Sequence, residues 1–127
     1  MGTVRSPACK MLGCQEEGTL VHELIQCTKN DGVGTRLLHC LQLYVPGIDA
    51  QAVLRLDHGE VDEGLSLPLT LMTGIVCNSV WKERDSGVAI QSYKVRADIE
   101  QYITLLRTSR LQNAVALLYE MSQNMFN

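Results

Sequence analysis

Apolar residues recur every three or four positions over most of this chain, and this spacing predicts an all-α protein. The longest stripe predicts a helix that is capped by Ser66 and runs to about Arg84, with Pro68 in the first turn, where proline is tolerated. No segment shows the period-2 alternation of a β-strand. Further helices are predicted over residues 35–45, 49–56 (capped by Asp49), 92–108 and 109–125.

The helix predicted over residues 66–84 has the clearest buried face. Met72, Ile75, Val76 and Val80 follow one another at helical spacing. Trp81 comes directly after this stripe, so we expect its ring to anchor the core; a platform for stacking nucleic-acid bases is the alternative. Because the last two helices also have one apolar face each, the last three helices are expected to form a bundle.

Length and composition indicate one globular domain of 127 residues, with 46% hydrophobic and 20% charged residues. The odd number of cysteines, five, and the lack of an apolar leader favour reduced thiols, and therefore a cytoplasmic or nuclear location. No apolar run reaches the roughly eighteen residues of a membrane span, so no membrane association is expected. The net charge of −3 argues against strong autonomous binding to nucleic acid.

A cluster of potential metal ligands lies near the N-terminus. Three of the five cysteines and one of the three histidines fall within nineteen residues, in the spacing Cys-x4-Cys-x7-His-x4-Cys. Thiolate and imidazole groups are the donors that zinc prefers, and four of them complete a closed tetrahedral site. The spacing therefore predicts one structural Zn²⁺, bound by Cys9, Cys14, His22 and Cys27.

A short helix is expected to present two of these ligands. Thr19 is predicted to cap a helix that includes His22. Five residues turn through about 140° on an ideal α-helix, so His22 and Cys27 would not share a face. We therefore expect Cys27 to lie where the helix has frayed or ended. His39 and Cys40 are alternative ligands, but their helical pattern favours Cys40 in the core and His39 exposed or beside the site.

Catalytic interpretations of the same residues are less favourable. The run from His22 to Gln26 resembles a His-Glu-x-x-His metalloprotease helix but lacks the second histidine. A nucleophile–base pair of Cys14 and His22 lacks a third group to orient it. The acidic residues between Asp57 and Glu63 do not follow the spacing of an EF-hand, so this segment is predicted to be a solvated connection. We predict that the chain is not an enzyme.

Residues 13–27 resemble the C-terminal Cys-Cys-His-Cys region of LINE-type (non-LTR) retrotransposon reverse transcriptases. That region has a cysteine pair, a short acidic run that ends in histidine, and a further cysteine. The four residues between Cys9 and Cys14 exceed the family's usual two or three. Further along, Trp81-Lys-Glu-Arg84, residues 93–100 and Leu106-Arg-Thr-Ser-Arg110 resemble the tail that follows in some of these elements, so the resemblance covers roughly residues 9–118.

The resemblance implies a zinc-binding accessory module that binds RNA or single-stranded DNA weakly. No Tyr-x-Asp-Asp polymerase segment is present, so the chain is not itself a polymerase. The alternative is a structural zinc domain, a relic or a reused one, that mediates protein–protein contacts. The candidate contacts to nucleic acid are Lys10, Lys29 and Arg36, with a second group of Lys82, Arg84, Lys94, Arg96, Arg107 and Arg110.

The expected organisation is a single domain in three parts. Residues 1–8 form a flexible lead, residues 9–30 form the zinc-binding loop and helix, and residues 31–127 form a helical tail packed against it. This gives five or six helices in total, with the zinc loop at one end of the bundle.

Overall fold

Five α-helices account for most of the fold. The computed structural model describes residues 9, 11, 14, 16–85 and 90–126. A π-helical turn (His22–Gln26) and a 3₁₀ turn (Thr28–Asn30) precede the α-helices. No β-strand occurs in this part of the chain, so the predicted all-α fold, an N-terminal loop followed by a helical bundle, is confirmed. The helices are α1 (Val33–Tyr44), α2 (Ala50–Leu54), α3 (Glu63–Asp85), α4 (Ser92–Leu106) and α5 (Gln112–Phe126).

The predicted lead over residues 1–8 lies outside the described residues, as do Lys10 and Gly13.

Helix α3 is the centre of the bundle. It packs against α1, α4 and α5, and α4 and α5 also pack against each other, so the last three helices form the predicted bundle. Four of its residues are completely buried: Leu69, Met72, Val76 and Val80. The neighbouring helices complete this core with fully buried residues such as Ile99 of α4 and Leu118 and Met121 of α5.

The start of α3 differs from the prediction. The helix begins at Glu63, three residues before Ser66, because the Leu65 amide already donates to the Asp62 carbonyl at 2.8 Å. Pro68 consequently lies inside the helix. Proline has no N–H for the carbonyl of Gly64, but Gly64 is exposed, so water can satisfy that carbonyl. By contrast, Asp49 caps α2 as predicted.

The prediction that Trp81 anchors the core is wrong. Its side chain is 49% exposed. The buried stripe ends at Val80, and one further residue turns about 100° around a helix, which places Trp81 on the outer face of α3.

Helix α3 is the one described helix whose length and composition would allow it to cross a membrane. Its best 18-residue window has a mean hydropathy of 1.3, and 44% of that window is buried inside the fold. Core helices of globular proteins pass the same test, so the expectation of no membrane association stays a prediction.

Candidate metal centre

The four predicted ligands lie together. Their donor atoms are all within 4.8 Å of one another. Cys9 Sγ is 3.7 Å from Cys27 Sγ, Cys27 Sγ is 3.9 Å from Cys14 Sγ, and Cys14 Sγ is 3.2 Å from His22 Nε2. In a tetrahedral zinc site with bonds of about 2.3 Å to sulfur and 2.0 Å to nitrogen, these edges measure about 3.8 and 3.5 Å. The four side chains therefore fit a single metal ion, and zinc suits the donor set.

A π-helical turn explains how His22 and Cys27, which are five positions apart, both reach the metal centre. The Cys27 amide donates to the His22 carbonyl at 2.7 Å, which is the i→i+5 bond of a π-helix. With this wider turn, the donor atoms of His22 and Cys27 lie within 4.8 Å of each other. Thr19 Oγ1 accepts from the His22 amide at 3.2 Å, as expected of a cap. Cys27 itself is extended, with φ −65° and ψ 125°, which confirms that the helix has ended there.

The remaining two cysteines lie on a loop that folds back on itself. The Cys9 amide donates to the Glu16 carbonyl at 2.8 Å, and the Cys14 amide donates to the Met11 carbonyl at 3.0 Å. Both cysteine backbones are therefore fixed by main-chain hydrogen bonds. The site is also largely enclosed, since Cys9, His22 and Cys27 are buried and Cys14 is partly buried.

Gly34 lets α1 pack directly against the π-helical turn. A Cβ atom at this position would overlap the backbone of Ile25. Only glycine permits this approach, so Gly34 fixes how the turn that contains His22 lies on the bundle. The sequence pattern does not predict this contact, because a close approach of two backbones leaves no periodic signal.

Arg84, at the C-terminal end of α3, lies against the metal centre. Its side chain is only 6% exposed. Nη2 donates to Cys9 Sγ at 2.9 Å, and Nη1 donates to Asn30 Oδ1 at 2.9 Å. Glu23 Oε1 is 3.8 Å from Nη2, and the Asn30 amide group donates to the Glu23 carbonyl at 2.6 Å. The prediction that Arg84 contacts nucleic acid is therefore wrong, because the guanidinium is enclosed by protein.

The charges of the site explain this arrangement. Three thiolates around one divalent metal ion would carry a net charge of about −1, which is costly to bury without a cation. Arg84 supplies that cation. Burial raises the pKa of the Cys9 thiol, but hydrogen bonds from the Met11 backbone and from Arg84 lower it to about 6. Cys9 is therefore prepared to ligate as a thiolate.

The two other cysteines behave differently. Cys40 is 2% exposed and its thiol donates to the Met121 carbonyl at 3.4 Å, so it belongs to the core as predicted. Burial raises the pKa of Cys40 to about 11, and it also raises the pKa of Cys77 to about 11.

His39 is exposed on α1, as predicted. Neither alternative ligand belongs to the cluster of donor atoms.

The described cations that were predicted to contact nucleic acid have several different surroundings. Lys29 is exposed on the 3₁₀ turn, two residues after Cys27, and Arg36 is exposed on the first turn of α1 with Nη1 donating to the Met125 carbonyl at 3.3 Å. Several cations of the second group are neutralised by carboxylates. These pairs are Lys82–Asp98 at 3.2 Å, Lys94–Glu83 at 3.7 Å and Arg96–Glu100 at 3.3 Å.

The acidic connection before α3 is mostly exposed, as expected, but it contains one buried side chain. His58 is 6% exposed, and its Nε2 has no hydrogen-bond partner within the described residues. The sequence pattern predicts that this histidine belongs to a solvated loop. A single histidine among acidic residues gives no pattern from which burial is predicted.

Comparisons with family models, with curated proteins and with solved structures find no match. The functional interpretation therefore depends on the geometry of the centre and on the surface of the bundle. The resemblance to LINE-type reverse transcriptases stays a prediction.

Proposed function

We propose that this protein is a non-catalytic module of a reducing intracellular compartment, in which one structural Zn²⁺ fixes a helical domain that binds a protein partner. The observation that carries the proposal is the group of four donor atoms within 4.8 Å of one another, with Arg84 donating to one of them. Such a centre would join residues 9–30 to the bundle.

The donor set supports a structural rather than a catalytic metal. Structural zinc sites have four protein ligands, whereas catalytic sites keep one position for water or substrate. Here four side chains complete the tetrahedron, and three of them are buried. None of the five cysteines forms a disulfide, which agrees with a reducing compartment.

The surface favours a protein partner over a nucleic acid. The net charge is −3, and several of the predicted contact cations are paired with carboxylates or, like Arg84, enclosed. Large apolar side chains are exposed instead, among them Leu67 at 41%, Trp81 at 49% and Leu105 at 65%. Interface cores are enriched in aromatic residues and depleted of charge, so the half-exposed Trp81 in particular favours a protein partner.

Elemental analysis of protein purified under reducing conditions tests the centre. We expect one zinc per chain. Cys14→Ser and Cys27→Ser should abolish binding, and Cys40→Ser, a matched change of a buried cysteine outside the centre, should retain it. Removal of the metal by a chelator should lower the melting temperature, because binding of a structural zinc contributes about 10 kcal/mol or more in zinc-finger peptides. A natively purified, folded protein without zinc would contradict the proposal.

Weak binding of single-stranded nucleic acid is the second candidate. It is favoured by the exposed Lys29 next to the ligand Cys27 and by the family resemblance. Each phosphate contact on a single strand contributes about −0.7 to the slope of log affinity against log salt, so three contacts predict a slope of roughly −2. Fluorescence anisotropy with a labelled oligonucleotide measures this slope. The double change Lys10→Glu and Lys29→Glu should abolish binding without loss of zinc; binding that is indifferent to this change would contradict the candidate.

A further inference from the structure

The outer face of α3 lacks the charged residues that a surface helix normally has. No Asp, Glu, Lys or Arg occurs from Gly64 to Trp81, a run of eighteen residues. Surface helices usually place charged or polar residues opposite their apolar stripe. The opposite stripe of α3 is already in the core, yet Leu67 and Trp81 are 41% and 49% exposed on the outer face. This face has the composition of a covered surface.

The residues of this face follow a heptad pattern. Leu67, Leu71, Gly74, Asn78 and Trp81 succeed one another at steps of four, three, four and three. This average of 3.5 residues is the spacing of a helix that pairs with another helix. Gly74 lies at the centre and is exposed, and a Cβ added there would meet nothing within 4 Å. The centre of the face is therefore open to close approach.

The face is symmetric in type about Gly74. Leu67 and Trp81 are each seven residues from it, Thr70 and Asn78 are each four, and Leu71 and Cys77 are each three. When two copies of such a helix cross antiparallel at Gly74, each apolar residue meets an apolar residue and each polar residue meets a polar one. We propose that the occupant of this face is a second copy of this chain, joined by an antiparallel, two-fold α3–α3 contact. This inference rests on the proposed zinc-fixed domain and names its partner.

The proposed contact has a clear chemical basis. Leu67 of each copy packs against Trp81 of the other, and aromatic side chains are the commonest energetic centres of interfaces. Glycine at the crossing point removes the side chain that would hold the axes apart. The first residue of the helix, Glu63, and the last, Asp85, are acidic, and Lys82 and Arg84 also lie in the last turn; the angle at which packed helices cross separates these ends.

A lipid surface fits the same face less well. Leu69, Met72 and Val76 on the other side of α3 are fully buried in the core, so α3 cannot enter a bilayer without dismantling the bundle. Asn78 and Thr70 would also lose hydrogen-bond partners in hydrocarbon. Both groups can bond to each other across a helix pair.

Analytical ultracentrifugation of the zinc-loaded protein tests the proposal. We expect a concentration-dependent rise from 14.1 kDa towards twice that mass. Leu67→Lys and Trp81→Glu should each weaken the dimer roughly 1,000-fold, because each change is present twice in a two-fold dimer and an energetic centre loses about 2 kcal/mol per residue. Mixing these two variants should restore association, because the new lysine then faces the new glutamate while the native leucine and tryptophan still meet. Leu43→Lys, a matched change of an exposed leucine on α1, should leave the dimer unchanged.

The possible outcomes separate this inference from the proposed function. A monomer at all concentrations up to about 1 mM, or a dimer indifferent to both changes, overturns the inference. Failure of the mixed variants to associate overturns the antiparallel arrangement. Binding of the monomer to uncharged phosphatidylcholine vesicles, lost on Trp81→Glu, would assign the face to lipid and also overturn it. Zinc content and melting temperature, measured on the same samples, report on the zinc-fixed domain independently of association.

Discussion

Replacement of Arg84 by methionine is the most informative change at the metal centre. Methionine keeps much of the length and apolar volume of the side chain but removes its charge and its donors. The thiolate of Cys9 and the amide oxygen of Asn30 each lose a hydrogen bond of 2.9 Å. Because the guanidinium is charged, both bonds belong to the class that contributes about 1.5–3 kcal/mol each. We therefore expect a loss of about 3–6 kcal/mol, comparable to the cost of leaving a buried charge without its partner.

The affinity for zinc should fall as well. Removal of a group that hydrogen-bonds a metal ligand typically weakens metal binding about 10- to 100-fold. Urea unfolding of the zinc-saturated protein measures the free energy, and competition with a chromophoric chelator measures the affinity. Arg84→Lys should be intermediate, because lysine retains the charge but cannot bond Cys9 and Asn30 at once with a planar group.

Lys82→Met on the same helix is the matched control. Lys82 is 59% exposed and pairs with Asp98 at the surface. Such a pair contributes only about 0–1 kcal/mol, and it does not touch the centre. If Arg84→Met and Lys82→Met have equal effects on unfolding and on zinc affinity, the role assigned to Arg84 is refuted.

Three other changes test separate parts of the structure. Gly34→Ala should destabilise the protein by more than about 2 kcal/mol, since the methyl group overlaps backbone, whereas Gly64→Ala, with nothing within 4 Å, should be neutral or stabilising by urea unfolding. Trp81→Ala should cost less than about 1–2 kcal/mol in dilute solution because the ring is half exposed; a loss of about 3–5 kcal/mol would place it in the core. Asp31→Ala should remove the bond of 2.8 Å that the Ser92 amide donates to the carboxylate. Because this bond lowers the pKa of Asp31 from 3.8, its contribution is present at neutral pH and is lost as the pH falls below that value. The difference between wild type and variant should therefore narrow in acid; an equal difference at pH 7 and pH 3 would contradict the assignment.

The sequence predicted the helices and the ligands because both depend on local information. Helical periodicity is visible within a dozen residues, and all four ligands lie within nineteen. The π-helical turn was not predicted, since the ideal-helix geometry used for His22 and Cys27 does not include it. The spacing did, however, indicate that an ideal α-helix could not present both His22 and Cys27 on the same face.

The predictions for Trp81 and Arg84 were wrong for two different reasons. The burial of Trp81 depends on a shift of one helical position, and the environment of Arg84 depends on a contact with a residue far away in the sequence. Trp81 lies one position beyond a buried stripe, and about 100° of rotation separates the core from the surface. Arg84 belongs to a run of cations typical of a solvated face, and only tertiary structure brings it to Cys9, 75 residues away. The helical periodicity of a sequence contains no information about contacts between residues that are so far apart in the chain.

That separation has a consequence for the order of folding. The ligands Cys9 and Cys27 close a loop of 18 residues, whereas the contact of Arg84 with Cys9 closes one of 75. Closure entropy grows with the logarithm of loop length, so the longer loop costs about 1.3 kcal/mol more before any contact compensates it. During synthesis the N-terminal loop also leaves the ribosome first, and domains fold in that direction. The metal centre is therefore expected to nucleate early, and the end of α3 to dock onto it as a late step that completes the domain.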